Sequence, residues 1–223
     1  MQNFDIIVES KIVETYKVAQ VRGMFDLQDE IAREQFTGSI EIPDDWNIGV
    51  IVGRSGTGKT TIAKNLFGDN FLDPVYTNGA VLDDMPCDDT KRITQTFNAV
   101  GFSSPPSWLK SYDVLSNGEK MRIDLAYAIL SDVDLFIFDE FTSVVDRTVA
   151  KIGSTAMQKS IRKQNKKFIA VSCHSDILDW LEPDWVFDTN TMTMQKKTSN
   201  DQKSRSTYIN AKDYGTSLAS III

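Results

Sequence analysis

The chain of 223 residues is poor in the side chains that bind transition metals or cross-link a fold, with two cysteines, Cys87 and Cys173, and a single histidine, His174. The cysteines lack metal-ligand spacing, and two thiols make no disulfide framework. Cys173, beside the end of an apolar run, is expected to be a small buried core residue. Positive charge is also short. There are 24 Lys and Arg against 31 Asp and Glu, a net charge of −7. That balance disfavours a surface that holds DNA or RNA by neutralising phosphates, although a local basic patch stays open. No stretch approaches the roughly 18 uninterrupted apolar residues of a membrane span. Met1-Gln2-Asn3-Phe4-Asp5 lacks the basic start and apolar run of a secretion signal. The expectation is a soluble protein of the reducing cytoplasm with no integral membrane segment.

A hydrophobic content of 41% is ample for a core. One domain is expected over residues 1–195, followed by a polar, disordered tail over 196–223. The tail expectation rests on Lys196 to Ser206, which has no apolar residue. The last residues, Ser217 to Ile223, are apolar again but too few to span a bilayer.

The most informative stretch is Gly53-Arg54-Ser55-Gly56-Thr57-Gly58-Lys59-Thr60, which matches G-x-x-x-x-G-K-[ST] at every fixed position. It follows the apolar run Ile48 to Val52 and leads through Thr61 into Ile62 to Phe67, the strand-then-helix context of a phosphate-binding loop. Glycines let successive N–H groups turn inward around an anion, and the helix that follows points its positive end at the same place. Lys59 would reach the β- and γ-phosphates, and the Thr60 hydroxyl would be a Mg²⁺ ligand.

Upstream, Phe4 to Val8, Tyr16 to Val21 and Phe36 to Ile42 read as three short strands of a small antiparallel sheet. Phe25 lies in a turn between two of them, where it would either pack or stack on a base. Downstream, Ala80-Val81-Leu82 reads as a short strand ending at Asp83, and Thr90 to Val100 as a helix with Ile93, Phe97 and Val100 on one face. Leu115-Ser116-Asn117-Gly118-Glu119 then heads a helix over Lys120 to Leu130. Ser116 and Glu119 have the spacing of a capping box, which by itself calls for no ligand. Leu135 to Phe138 is a continuous apolar run, the pattern of a strand buried on both faces of a parallel sheet. Asp139 and Glu140 follow it, at the strand edge where ligands bind in open α/β sheets. There Asp139 would hold Mg²⁺, and Glu140 would orient or deprotonate an attacking water. A helix is expected over Ala150 to Arg162 and a strand over Phe168 to Ser172, which brings His174 to that same edge. A short helix over Ile177 to Leu181 and a final strand over Trp185 to Phe187 complete the domain, with Trp180 and Trp185 read as core.

Taken in order, the phosphate loop, the Leu115 to Glu119 pentad, the Leu135 to Glu140 strand end, Ser143-Val144-Val145-Asp146 and His174 resemble the motifs of an ATP-binding-cassette (ABC) ATPase. The resemblance covers about residues 1–190. It implies an α/β fold of the P-loop NTPase type: a mostly parallel sheet with flanking helices, a small N-terminal antiparallel sheet and a reduced helical subdomain. ATP and Mg²⁺ are the implied cofactors. Glu140, His174 and Lys59 are implied as the catalytic set, and Thr60 and Asp139 as metal ligands. Ser116 and Gly118 match the signature that closes on ATP from a second copy in a homodimer, and Asp146 matches the loop that crosses the dimer interface. Two places depart from the family pattern. Asn117 and Glu119 stand where LSGGQ has glycine and glutamine, and the glutamine of the loop after the second strand is absent, leaving Asp83 as a substitute contact to metal or water.

Fewer than 60 residues separate the phosphate loop from the signature. That interval is short for the subdomain with which a transport subunit grips a membrane partner, and too short for an inserted coiled coil. The segment from Phe138 to Thr191 resembles soluble bacterial and phage cassettes that continue into a GNAT-type acetyltransferase. Here an acetyltransferase would have to be a separate polypeptide partner. A transporter ATP-binding subunit and a non-hydrolysing, ATP-gated interaction module are the alternatives. A P-loop kinase would leave Ser116, Asp146 and His174 unaccounted for.

Overall fold

The computed structural model describes residues 2–11, 13–27 and 31–197. Five strands form the central sheet: β3 (Ile48–Val52), β4 (Leu135–Phe138), β5 (Lys167–Ser172), β6 (Trp185–Asp188) and β7 (Thr193–Lys196), in the order β4-β5-β3-β6-β7. Here β1 is Gln2–Lys11 and β2 is Ile31–Ile40, which form a separate antiparallel pair. All pairings in the larger sheet are parallel except β6 with β7.

Strand periodicity explains the two layers of core. Ile48, Val50, Phe168 and Ala170 project to one face, which is covered by α3 (Thr90–Ala99), α5 (Asn117–Leu130) and α6 (Arg147–Gln164), with the short α4 (Pro105–Trp108) between α3 and α5 in the chain. Ile51, Ile169 and Val171 project to the other, where α2 (Lys59–Phe67) and the β1/β2 pair cover them. Burial on both faces is why these strands read as unbroken apolar runs. Each fully buried Ile or Phe contributes about 1.5–3 kcal/mol relative to exposure. The order of strands carries the carboxyl ends of β3, β4 and β5 to one edge, so Gly53, Asp139 and Cys173 begin their loops there.

The N-terminal region differs from expectation. Tyr16 to Val21 belongs to a helix, α1 (Tyr16–Phe25), and the small sheet has two strands rather than three. Tyr16, Val18 and Val21 suggest a strand, but the Thr15 side chain accepts the Val18 N–H at 3.3 Å and starts a helix. Asp26, at φ 51, ends it. No α1 residue is buried, so no apolar face marked the helix in the sequence. Phe25 is 70% exposed at its end.

Ala80 to Leu82 is a turn rather than a strand, with the Val81 N–H donated to the Lys110 carbonyl. Cys173 is exposed rather than buried, because β5 ends one residue earlier and the chain turns outward. Trp185 is fully buried, whereas Trp180 is half-buried beneath the Arg147 guanidinium. Strand β7 was not anticipated: it is a short, mostly polar edge strand with no apolar alternation to find. It reaches Lys196, and the Lys197 N–H donates to the Asp184 carbonyl. The remainder of the polar tail expectation lies outside the described residues.

Candidate functional site

The phosphate loop spans the gap between β3 and α2. Gly56 and Gly58 adopt φ 80 and 78, a region that side chains rarely tolerate. A Cβ on Gly58 would also come within 2.6 Å of the Phe36 ring, so β2 packs directly against the loop. No side chain caps α2, which leaves its first N–H groups facing the loop. Lys59, 7% exposed, donates to the Arg54 carbonyl at 2.8 Å. Its ammonium therefore lies across the cup formed by residues 54–58. Thr57 also donates to the Arg54 carbonyl at 2.8 Å, while Ser55 is exposed and Thr61 half-buried at the start of α2.

The carboxyl end of β4 meets this loop. The Thr60 hydroxyl donates to the Asp139 carboxylate, at 2.9 Å to Oδ2 and 3.2 Å to Oδ1. A hydroxyl and a carboxylate are hard oxygen donors of the kind Mg²⁺ takes. Among the described residues no three His, Cys, Asp or Glu side chains gather as a metal cluster. Mg²⁺ is held by one or two carboxylates together with phosphate oxygens and water. The donor set therefore fits this ion. Asp83 is exposed on its turn, and among the described residues no hydrogen-bond partner of its carboxylate is found.

Glu140 is exposed, its N–H donated to Asp139 Oδ1 at 2.9 Å. Its φ is 50, and that of Thr142 is 66. Left-handed backbone at a β-branched residue is strained, and such strain concentrates at functional turns. His174 is half-buried; its N–H donates to Ser172 Oγ at 3.1 Å. Its neighbours Cys173 and Ser175 line a cavity of 330 Å³ together with Gly53 and Arg54. The structure thus brings the His174 loop beside the phosphate loop.

The signature segment heads α5. Ser116 Oγ accepts the Glu119 N–H at 3.4 Å, and the Glu119 carboxylate accepts both the Ser116 N–H (3.0 Å) and the Ser116 hydroxyl (2.8 Å). The capping box inferred from the spacing is present. The Ser116 N–H and then its hydroxyl hold the Glu119 carboxyl below its ordinary range. Asn117 and Gly118 follow as the first residues of the helix, and Asn117 shares a 160 Å³ cavity with Glu140 and Thr142.

Deeper in that helix, Asp124 accepts the hydroxyls of Tyr76 (2.7 Å) and Tyr112 (3.0 Å), whose rings stack at 3.9 Å. Burial pushes the Asp124 carboxyl up to about 6, against the opposing pull of both hydroxyls and of Lys120. Burial and the same carboxylate raise both tyrosines. Asp146 caps α6 by accepting the N–H groups of Thr148 (2.9 Å) and Val149 (3.0 Å). The Val149 N–H foremost keeps its carboxyl low.

Three bracing residues were missed from sequence. Asn190 accepts the Arg54 N–H at 3.0 Å, Thr189 meets Thr57 hydroxyl to hydroxyl, and buried Ser172 supports His174. Thr189 and Asn190 follow β6 as Asp139 follows β4. The strand-end rule that picked out Asp139 would have found them too.

No family model matches the chain. Among curated proteins it is 27% identical over 176 residues to the human "Iron-sulfur clusters transporter ABCB7, mitochondrial", which matches 59% of this chain and 23% of the relative. It is 33% identical over 139 residues to "Probable ATP-binding cassette sub-family F member 3 homolog" of Encephalitozoon cuniculi, covering 58% of this chain and 24% of that protein. The lactococcin-G-processing and transport ATP-binding protein LagD of Lactococcus lactis is 28% identical over 173 residues, covering 57% and 24%. The chain spans about a quarter of the length of these relatives. Among solved structures, the dimeric ABC transporter cassette MJ0796 superposes with a TM-score of 0.56 at 13% identity, covering 82% of this chain and 94% of that one. A post-hydrolysis dimer of MJ0796 bound to ADP and Pi gives a TM-score of 0.58 at 13% identity, covering 86% and 98%. The fold is that of an ABC cassette, and the curated relatives support the ABC ATPase family.

Proposed function

We propose that this chain is an ABC-type ATPase. It binds ATP with Mg²⁺ in the Gly53–Thr61 loop and hydrolyses it to ADP and phosphate. It does so in a head-to-tail homodimer in which a second copy's Ser116 helix closes on the same nucleotide. The Thr60–Asp139 hydrogen bond supports this most directly, because it joins the phosphate loop to a carboxylate at the end of a buried strand. On this reading Lys59 leaves the Arg54 carbonyl for the β- and γ-phosphates, while Thr60 and Asp139 hold the metal. Mg²⁺ would neutralise the charge developing on those phosphates. Glu140 orients or deprotonates the attacking water, and His174 contacts the γ-phosphate. Ser116 and Gly118 present the amino end of α5 to the partner's nucleotide, and Asp146 crosses between the two copies.

ATP then acts as glue that hydrolysis removes. Glu140→Gln is expected to lower turnover by about 10²-fold or more while keeping ATP bound, and to run as a dimer on sizing with ATP and Mg²⁺. A variant that stays monomeric while saturated with ATP would rule out the nucleotide-sandwich dimer. Turnover equal to that of wild type would point instead to an ATP-gated module that works by binding alone.

The names of two curated relatives favour a second reading, the ATP-binding subunit of a transporter. The short interval from Lys59 to Ser116 argues against it. Among the described residues no helix is long and apolar enough to cross a membrane. A free-standing cytoplasmic cassette acting on an acetyltransferase partner rests on the sequence resemblance of Phe138 to Thr191. An affinity capture with Glu140→Gln and ATP separates the two, since a membrane permease should be retained in one case and a soluble protein in the other.

A further inference from the structure

Ser172 closes β5 after four buried apolar residues, Phe168 to Val171, and is itself fully buried. A hydroxyl in that position costs free energy unless its hydrogen bonds are made. Here both are. The hydroxyl donates to the Phe141 carbonyl at 2.8 Å and accepts the His174 N–H at 3.1 Å. The Ser172 carbonyl in turn accepts the N–H of Gly53, the first residue of the phosphate loop, at 3.4 Å. One residue therefore touches the phosphate loop, the turn that carries Glu140 and the loop that carries His174.

The Glu140 turn needs such support. Phe141 stands between two residues in left-handed backbone, Glu140 and Thr142, and the buried Thr142 hydroxyl finds no partner among the described residues to offset the strain. Strained backbone persists only where its surroundings hold it. The Phe141 peptide is held to β5 at both polar groups. Its N–H donates to the Val171 carbonyl at 2.8 Å, and its carbonyl accepts the Ser172 hydroxyl. Without that hydroxyl one clamp is lost, and the His174 N–H loses its acceptor in the same event.

We propose that Ser172 is a positioning residue that locks the Glu140 turn and the His174 loop into one arrangement, so that carboxylate and imidazole are placed together. Its kinetic consequence rests on the ATPase reading above; its structural consequence does not. The test compares Ser172→Ala and Ser172→Thr with wild type in steady-state turnover of Mg-ATP, nucleotide affinity and amide hydrogen exchange without nucleotide.

Ser172→Ala is expected to lower kcat about tenfold, the effect of one lost buried hydrogen bond on placement, with ATP affinity within about twofold of wild type. Exchange should quicken together over residues 139–144 and 173–176, and Ser172→Thr, which keeps the hydroxyl, should restore both readouts. The proposal is overturned if kcat is unchanged, if kcat and affinity fall in parallel with general loosening of the fold, or if only one segment exchanges faster. Should wild type fail to turn over ATP, the ATPase reading falls, and the exchange pattern alone decides the role of Ser172.

Discussion

Two helices in this molecule begin with glycine- and serine-containing turns that match phosphate-binding motifs, yet their amino ends are treated in opposite ways. Helix α2 starts after Gly58 with no side-chain cap, and its lysine is folded back on the loop that precedes it. Helix α5 starts after Ser116 with both bonds of a capping box made, its N-cap hydroxyl donated to Glu119. An uncapped helix end with inward N–H groups has unmet need for an anion, whereas a capped one has already satisfied two of its groups. On the function proposed above, the α2 end would take phosphate within one chain, and the α5 end, already capped by its own residues, would meet the nucleotide of a second copy.

The comparison can be broken most severely at α2. Lys59→Ala removes the one buried ammonium in the loop, and charge-assisted contacts to phosphate of this kind are worth a loss of affinity of about 10- to 100-fold. Nucleotide titration by calorimetry would measure it. An unchanged affinity would mean that residues 53–60 do not form the phosphate site.

The α5 side is expected to respond to pH. Asp124 has its carboxyl raised to about 6 by burial, so the folded protein holds that proton more tightly than the unfolded chain, where an aspartate titrates near 4. The contribution to stability is fully present below about pH 4 and declines as pH rises through about 6, by roughly 2–3 kcal/mol in total. Asp124→Asn is expected to flatten this decline, read as urea midpoints between pH 4 and 7.5. A variant with the same pH slope as wild type would show that Asp124 is not its source.

The smallest effects concern the cap itself. Ser116→Ala should destabilise the free protein by about 1 kcal/mol through the lost cap, seen in chemical denaturation without nucleotide. Glu119→Gln keeps the shape but removes a carboxylate held below its ordinary range. It should tighten ATP-dependent dimerisation of the Glu140→Gln background up to about fivefold, the scale of an exposed charge interaction. Weaker dimerisation would mean that the charge is used in the cap and not in conflict with ATP.

Much of the candidate site was legible because the residues proposed for its chemistry are contiguous. Gly53 to Thr60 carries its own geometry, and Asp139 and Glu140 are marked by the buried apolar run before them. What failed to show had no local periodicity or depended on a remote neighbour. Strand β7 is polar and at a sheet edge, and α1 buries nothing, so neither left an apolar pattern. Cys173 follows a buried strand in sequence, but only the turn after Ser172 decides that it faces outward.

The sequence by itself determined the parallel α/β core, the phosphate loop and the cap of α5, because each follows from side chains within a few residues of one another. Tertiary structure alone decided which strand ends lie side by side. That placement brings Thr60 to Asp139, 79 positions apart, and Phe141 to Ser172, 31 positions apart. The physical reason is that such contacts depend on strand order, and strand order is set by burying both faces of one sheet at once, a property of the whole chain rather than of any segment.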